Sequence, residues 1–161
     1  MDVLKIDDRV RLVRRNEQSL PQCIICDLDG TLSLMNGRSP YKGQDCQSDI
    51  INPPVASVIS LFHLSGVKIV LVSGRNSDNG AELETLNWLE KVKISSFIDK
   101  IYMRNPGDNR SDVDVKIDIY NNHIKGNLMV LFCLDDRKSV IRMWHDIGLP
   151  VFDVNPLGED F

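Results

Sequence analysis

Ile24-Ile25-Cys26-Asp27-Leu28-Asp29-Gly30-Thr31-Leu32 is an apolar run that ends in two acids two positions apart, followed by Gly-Thr. A short, continuously apolar run bounded by a turn signal reads as a strand buried on both faces, the kind found inside a parallel sheet. The acids at its carboxyl end suggest phosphoryl transfer through an aspartate. With a reference pKa near ~4, Asp27 is expected to be ionised at neutral pH and able to attack without a separate base. A phosphate monoester carries charge of the same sign, so a divalent cation shared by carboxylate and phosphate is required, and Mg²⁺ suits the task because it takes oxygen ligands. Asp29, held close to Asp27, is expected to have its pKa raised by like charge and partial burial. That would fit it to protonate the leaving oxygen and later deprotonate the attacking water. Gly30 allows a sharp turn or a close approach to phosphate. An ordinary Asp-Gly turn after a strand gives the same letters, so the pair alone does not decide.

Outward from this stretch, apolar runs alternate with helical patterns, the signature of an α/β fold with a parallel sheet wrapped by helices. Residues 22–27, 68–73, 97–103 and 128–134 read as buried strands, with 150–154 as a fifth. Between them, Val55, Val58, Ile59 and Phe62 repeat at helical spacing after Pro53-Pro54. Leu83, Leu86 and Leu89 mark a second helix, and Val113, Ile117 and Ile124 a third. A fourth, over 137–147, carries Val140, Ile141 and Trp144 and stops at Gly148-Leu149-Pro150. Residues 33–52 break the alternation: they are polar, rich in turn formers and too long for a mere connection, so they read as a flap or small cap insertion. Residues 1–21 read as an N-terminal arm and 22–161 as one domain.

In open parallel sheets, ligands bind beyond the carboxyl ends of the strands. Val72-Ser73-Gly74-Arg75 and Leu134-Asp135-Asp136-Arg137 would converge there with Asp27. Ser73 offers a hydroxyl to a phosphate oxygen, Arg75 a bidentate guanidinium, Asp135 and Asp136 hard oxygen ligands, and Lys116 a balancing positive charge. Each taken singly has a plain structural explanation as a turn, a helix cap or a solvated charge.

The composition of the 161-residue chain, 42% hydrophobic and 26% charged, is that of a globular protein with one domain's worth of core. A formal charge of −4 lacks the basic excess needed to track many phosphates, so any nucleic-acid partner should be held over a short footprint such as an end. No apolar stretch approaches membrane-spanning length and the N-terminus lacks a signal-peptide core, so no membrane partner and a cytoplasmic location are expected. The four cysteines form no disulfide framework, and Cys23-x-x-Cys26, inside an apolar run with no second pair, reads as buried thiols.

Asp27-x-Asp29-Gly30-Thr31, Ser73, Lys116 and Asp135-Asp136, in this order and on these elements, resemble the four motifs of the haloacid dehalogenase-like (HAD) superfamily. The resemblance implies a three-layer Rossmann-like fold with Asp27 as the nucleophile that becomes an aspartyl-phosphate and Asp29 as general acid/base. It further implies Ser73 and Lys116 as phosphate contacts, Asp135 or Asp136 as a Mg²⁺ ligand, and a metal contact from the Asp29 carbonyl. Met35-Asn36-Gly37-Arg38-x-Pro40-Tyr41, Ile51-Asn52-Pro53, Gly107-Asp108-x-Arg110-x-Asp112 and Met143-Trp144-x-x-Ile147-Gly148 are similar to the 3′-phosphatase domains of bacteriophage polynucleotide kinase/phosphatases, as is the terminal Asp160-Phe161. That similarity adds Arg38, Arg75 and Asp112 to the active site, places Thr31 and Gly74 against the substrate, and implies 3′-phosphate ends of DNA or RNA as the nucleic-acid partner. It also implies self-association as a homo-oligomer. No Gly-x-x-x-x-Gly-Lys-Ser/Thr phosphate loop is present, so 5′-kinase activity is not expected. A HAD phosphatase for a free nucleotide or sugar phosphate, and a degenerate binding module, are the readings left beside it.

Overall fold

The first apolar run becomes β1 (Gln22–Cys26), and its alternating side chains divide between two cores: Ile24 and Cys26 on one face, Cys23 and Ile25 on the other. The computed structural model of the chain describes residues 20–155, so most of the expected N-terminal arm, and Asp160-Phe161, lie outside the described residues. After β1 come β2 (Ser33–Leu34), β3 (Ile50–Ile51), α1 (Pro53–Leu64), β4 (Lys68–Asn76), α2 (Ala81–Lys91), β5 (Lys100–Arg104), α3 (Asp112–Ile119), β6 (Met129–Asp135), α4 (Lys138–Asp146) and β7 (Val151–Asp153). Five strands form one parallel sheet in the order β5-β4-β1-β6-β7. Val55, Ile59, Trp88 and Leu89 of α1 and α2 cover one face. Val115, Ile119, Val140, Met143 and Trp144 of α3 and α4 cover the other. The result is the expected three-layer Rossmann-like α/β architecture. The chain leaves β1 toward β4 on one side and β6 on the other, so the carboxyl end of β1 is a topological switch point, where such sheets bind ligands.

Several boundaries differ from the expectation for physical reasons. The strand expected over 97–103 starts later: Phe97 and Ile98 pack on the core from a tight turn, and strand pairing begins only where the Asp99 amide donates to the Ile69 carbonyl (2.9 Å). In α2, Leu83 and Leu86 are exposed, and the buried face is Ala81, Thr85, Trp88 and Leu89. A three-residue repeat drifts around a helix of ~3.6 residues per turn, so the leucines could not share one face. The third helical region is not uniform: α3 passes into a π-helical turn, Tyr120–Ile124, in which the Lys125 amide donates to the Tyr120 carbonyl (2.8 Å).

Residues 33–52 are ordered around an antiparallel pairing of β2 with β3. A 3-10 turn, Gly43–Ser48, buries Cys46 and lets Gln47 Nε2 donate to the Glu84 carbonyl of α2 (2.9 Å). Trp88 Nε1 donates to the Asp49 carbonyl (3.0 Å), tying the end of this segment to the core. No helix among the described residues is long and apolar enough to cross a membrane.

Candidate active site

Asp27 follows directly on β1, its amide donating to the Leu134 carbonyl of β6 (3.0 Å), and its carboxylate is almost wholly buried. The chain then turns back tightly: the Ser33 amide donates to the Leu28 carbonyl (2.8 Å) and the Gly30 amide to the Ser33 carbonyl (2.8 Å). Gly30 has φ +87°, and a Cβ there would lie 2.1 Å from Asp136 Oδ2, so only glycine lets the two loops meet. β6 delivers Asp135 and Asp136 opposite Asp27. From α3, Lys116 Nζ lies 2.8 Å from both Asp27 Oδ1 and Asp135 Oδ2. Trp144 Nε1 donates to the same Asp135 oxygen (3.3 Å).

Burial raises the Asp27 pKa well above the carboxylate range, and the charges of Asp135 and Asp136 add to it, against the opposing pull of Lys116. This corrects the expectation of an ordinary, fully ionised Asp27 in the chain alone. Burial also raises Asp136. Lys116 would be pushed down by burial, but the charges of Asp135 and Asp27 outweigh it and keep the ammonium protonated. Asp27, Asp135 and Asp136 each offer a carboxylate oxygen, all within 4.8 Å of one another. A buried cluster of hard oxygen donors, with one ammonium against three carboxylates, fits Mg²⁺.

Asp29 is placed differently from the expectation. Its carboxylate accepts from Arg75 Nε (3.1 Å), Arg75 Nη2 (2.6 Å) and Arg38 Nη2. Burial alone would raise its pKa, but the hydrogen bonds and charges of Arg75 and Arg38 prevail and hold it below the ordinary value. The like-charge effect falls on Asp27 instead, from Asp135 and Asp136, whereas Asp29 is paired with two guanidinium groups.

The arginines are correspondingly committed. Arg75, with no exposed side-chain surface, also donates to Thr85 Oγ1 (2.8 Å), so its fork grips Asp29 rather than reaching out to a phosphate. Arg38 joins Asp29 to Asp49, its Nε 2.9 Å from Asp49 Oδ1, and does not line the cleft. Thr31 is fully buried and donates to Asp136 Oδ1 (2.9 Å), which makes it a support for Asp136 rather than a surface for substrate.

A cleft of about 280 Å³ opens over Asp27, lined by Asp29, Ser73, Gly74, Arg75, Asp112, Lys116 and Asp136 among others. Ser73 Oγ accepts from the Arg75 amide (3.1 Å), leaving its own proton to donate. A Cβ on Gly74 would lie 2.4 Å from Asp112 Oδ1, so the backbone of β4 runs hard against α3. Asp112, in the first turn of α3, pairs with Arg104 and Arg137. Asp135 stands behind the cleft, holding Lys116. Sequence reading overlooked Asp49 and Arg104. Asp49 has no local signal in a polar turn-rich stretch, whereas Arg104 stands at a strand's carboxyl end, the criterion that found Ser73 and Arg75.

The family profile of the polynucleotide kinase PNKP phosphatase domain matches residues 21–161. A putative bifunctional polynucleotide kinase/RNA ligase of Autographa californica nuclear polyhedrosis virus is 36% identical over 138 residues, covering 83% of this chain and 19% of that protein. In a solved Pnkp1/Rnl/Hen1 complex, one chain is 41% identical with a TM-score of 0.82, over 89% of this chain and 48% of that one. This chain therefore spans under half the length of these relatives. A haloacid dehalogenase-like hydrolase from Streptococcus pneumoniae, 12% identical with a TM-score of 0.56 over 83% of this chain and 84% of that one, shares the fold. By its fold, its cleft and its match over residues 21–161, the chain belongs to the PNKP phosphatase-domain family within the haloacid dehalogenase-like phosphomonoester hydrolases.

Proposed function

We propose that the chain is a Mg²⁺-dependent polynucleotide 3′-phosphatase, converting 3′-phosphate ends to 3′-hydroxyls in nucleic-acid end repair, with residues 22–161 as the catalytic domain and 33–52 as its flap. The observation that carries the reading is Asp27 at the floor of a cleft, flanked by Lys116 and by the carboxylates of Asp135 and Asp136. Relatives described as an RNA-repair complex and as a polynucleotide kinase/RNA ligase favour RNA among the polynucleotides.

In this reading an Asp27 oxygen attacks phosphorus and the bond to the 3′-oxygen breaks, giving an aspartyl-phosphate. Asp29, in its protonated form, gives its proton to the departing 3′-oxygen. The resulting Asp29 carboxylate then takes a proton from water, which attacks the same phosphorus, frees inorganic phosphate and restores Asp27. Lys116 holds Asp27 in place and offsets its charge, while Ser73 and the Gly74 backbone receive the phosphoryl oxygens. Bound by Asp27 and Asp136 with Asp135 beside them, Mg²⁺ would supply the positive charge that cancels repulsion between carboxylate and phosphate. Arg38 and Arg75 fix Asp29, and Asp112 fixes Arg104 and Arg137 at the rim.

The test is phosphate release from 3′-phosphorylated RNA and DNA oligonucleotides, a 5′-phosphorylated oligonucleotide and nucleoside 3′-monophosphates, with Mg²⁺ and with chelator. Release from the 3′-phosphorylated ends, with Mg²⁺ only, is expected. Preference for the free nucleoside 3′-monophosphates over the oligonucleotide ends would assign a small-molecule phosphatase instead, and turnover of none of them would leave a binding module.

A further inference from the structure

Asp108 and Arg110 line two clefts at once: the one over Asp27, and a second of about 160 Å³ between the edge strand β5 and α3 with its π-helical turn. The catalytic reading uses none of the second cleft. Its central feature is an aromatic stack, the rings of Tyr102 and His123 lying 4.6 Å apart and 12° from parallel. Tyr102 is half-buried on β5 while His123 is exposed, so the imidazole offers an outer face already backed by a second ring. The π-helical turn that carries His123 is a local departure from helical geometry of a kind frequent at functional sites. Asn105, Asn122 and Asp118 surround the stack with donors and acceptors suited to the edge of a nucleobase.

The shared wall supplies the link. Arg110 Nη2 lies 2.8 Å from Asp108 Oδ2 and its Nη1 contacts Asp118, yet 52% of the side chain is exposed. Exposed pairs of this kind contribute little, so the guanidinium can exchange a carboxylate for a phosphodiester oxygen with small loss. With two carboxylates against one guanidinium, the wall does not attract phosphate strongly, and stacking must dominate.

We infer that this second cleft is the subsite for the nucleoside immediately 5′ of the phosphorylated terminal one, its base stacked on His123 and its phosphodiester crossing Arg110. The subsite rests on the polynucleotide reading above and deepens it. It gives a chain of net charge −4 a way to hold a nucleic-acid end over a short footprint.

The experiment uses a 3′-phosphorylated trinucleotide with 2-aminopurine as the penultimate base, titrated with the Asp27→Asn protein. Stacking on His123 is expected to quench the fluorescence, with the quench lost on adding His123→Ala and restored by His123→Phe. In the Asp27 protein, the kcat/KM ratio of trinucleotide to nucleoside 3′-monophosphate is expected to fall about tenfold in His123→Ala. No quench, or a quench and ratio unchanged by His123→Ala, would overturn the subsite. Failure of the Asp27 protein to hydrolyse either substrate would overturn the phosphatase reading instead, and the quench would still decide the subsite.

Discussion

Asp29 and Arg75 are joined at two points, Nε to Oδ2 at 3.1 Å and Nη2 to Oδ1 at 2.6 Å. The residue assigned to proton transfer is thus braced by cations, while the residue assigned to attack sits among carboxylates. Burial and those neighbours push Asp27 up; the two arginines pull Asp29 down. The chain alone holds Asp27 in a state that a cation must correct.

Metal should therefore stabilise the fold as well as activate it. Ligand bound only by the folded state adds about 2.7 kcal/mol at a hundredfold excess over Kd, or roughly 5–10 °C in Tm for a chain of this size. Differential scanning fluorimetry with and without Mg²⁺ checks this. Asp27→Asn and Asp136→Asn should each shrink the rise, and Asp27→Asn should lower kcat at least a thousandfold, because an amide cannot attack.

Lys116 Nζ contacts both Asp27 and Asp135 at 2.8 Å. Lys116→Met removes the cation from those buried carboxylates, leaving Asp135 only its neutral donors such as Trp144 Nε1, at a cost of about 3 kcal/mol. Urea denaturation in chelator should show this loss. Because the folded-state pKa of Asp27 is raised, its neutral form is favoured by folding, so the loss should narrow as pH falls from 8 toward 5.

How much of this was legible in the sequence depends on which forces act locally. Apolar runs specified β1, β4 and β6, because a strand buried on both faces leaves no polar alternation, and the acids at their ends fell at the switch point. The partners of Asp29 were not legible: proximity to Asp27 in the chain suggested like-charge repulsion, whereas the fold brings Arg75 from β4 and Arg38 from the segment 33–52. Asp49 was invisible for the same reason. Its role exists only where residues 33–52 fold back, and Ser33 Oγ donates to it at 2.6 Å.

Two glycines should separate positioning from chemistry. At Gly30, φ +87° and a prospective Cβ 2.1 Å from Asp136 Oδ2 mean that Gly30→Ala strains the turn and displaces the Asp136 carboxylate, a ligand in the proposed metal site. At Gly74, the Cβ would instead meet Asp112 at 2.4 Å, away from the metal cluster. Gly30→Ala is therefore expected to weaken the apparent Mg²⁺ affinity about tenfold or more. Gly74→Ala should raise KM with little change in the Mg²⁺ requirement. Mg²⁺ titrations of activity at saturating substrate distinguish the two.

The arginine brace also dictates the pH profile. In the proposed mechanism Asp29 must be protonated to give a proton to the 3′-oxygen, and its lowered pKa makes that form scarce at neutral pH. At saturating Mg²⁺, with chemistry rate-limiting, kcat should rise as pH falls from 8 toward 6, approaching about tenfold per unit. The raised Asp29 pKa that the sequence suggests would place the rise nearer neutrality; the lowered one places it further into acid. Removing one guanidinium should relax that shift and move the profile toward higher pH. Arg38→Gln alone would leave Asp49 buried without its principal partner, so it is paired with Asp49→Asn, which replaces the stranded charge by a neutral isostere. If the double variant folds and its profile superimposes on that of the unaltered protein, Asp29 is not the proton donor. A profile displaced upward, with the same limiting slope, identifies the brace as the element that sets its acidity.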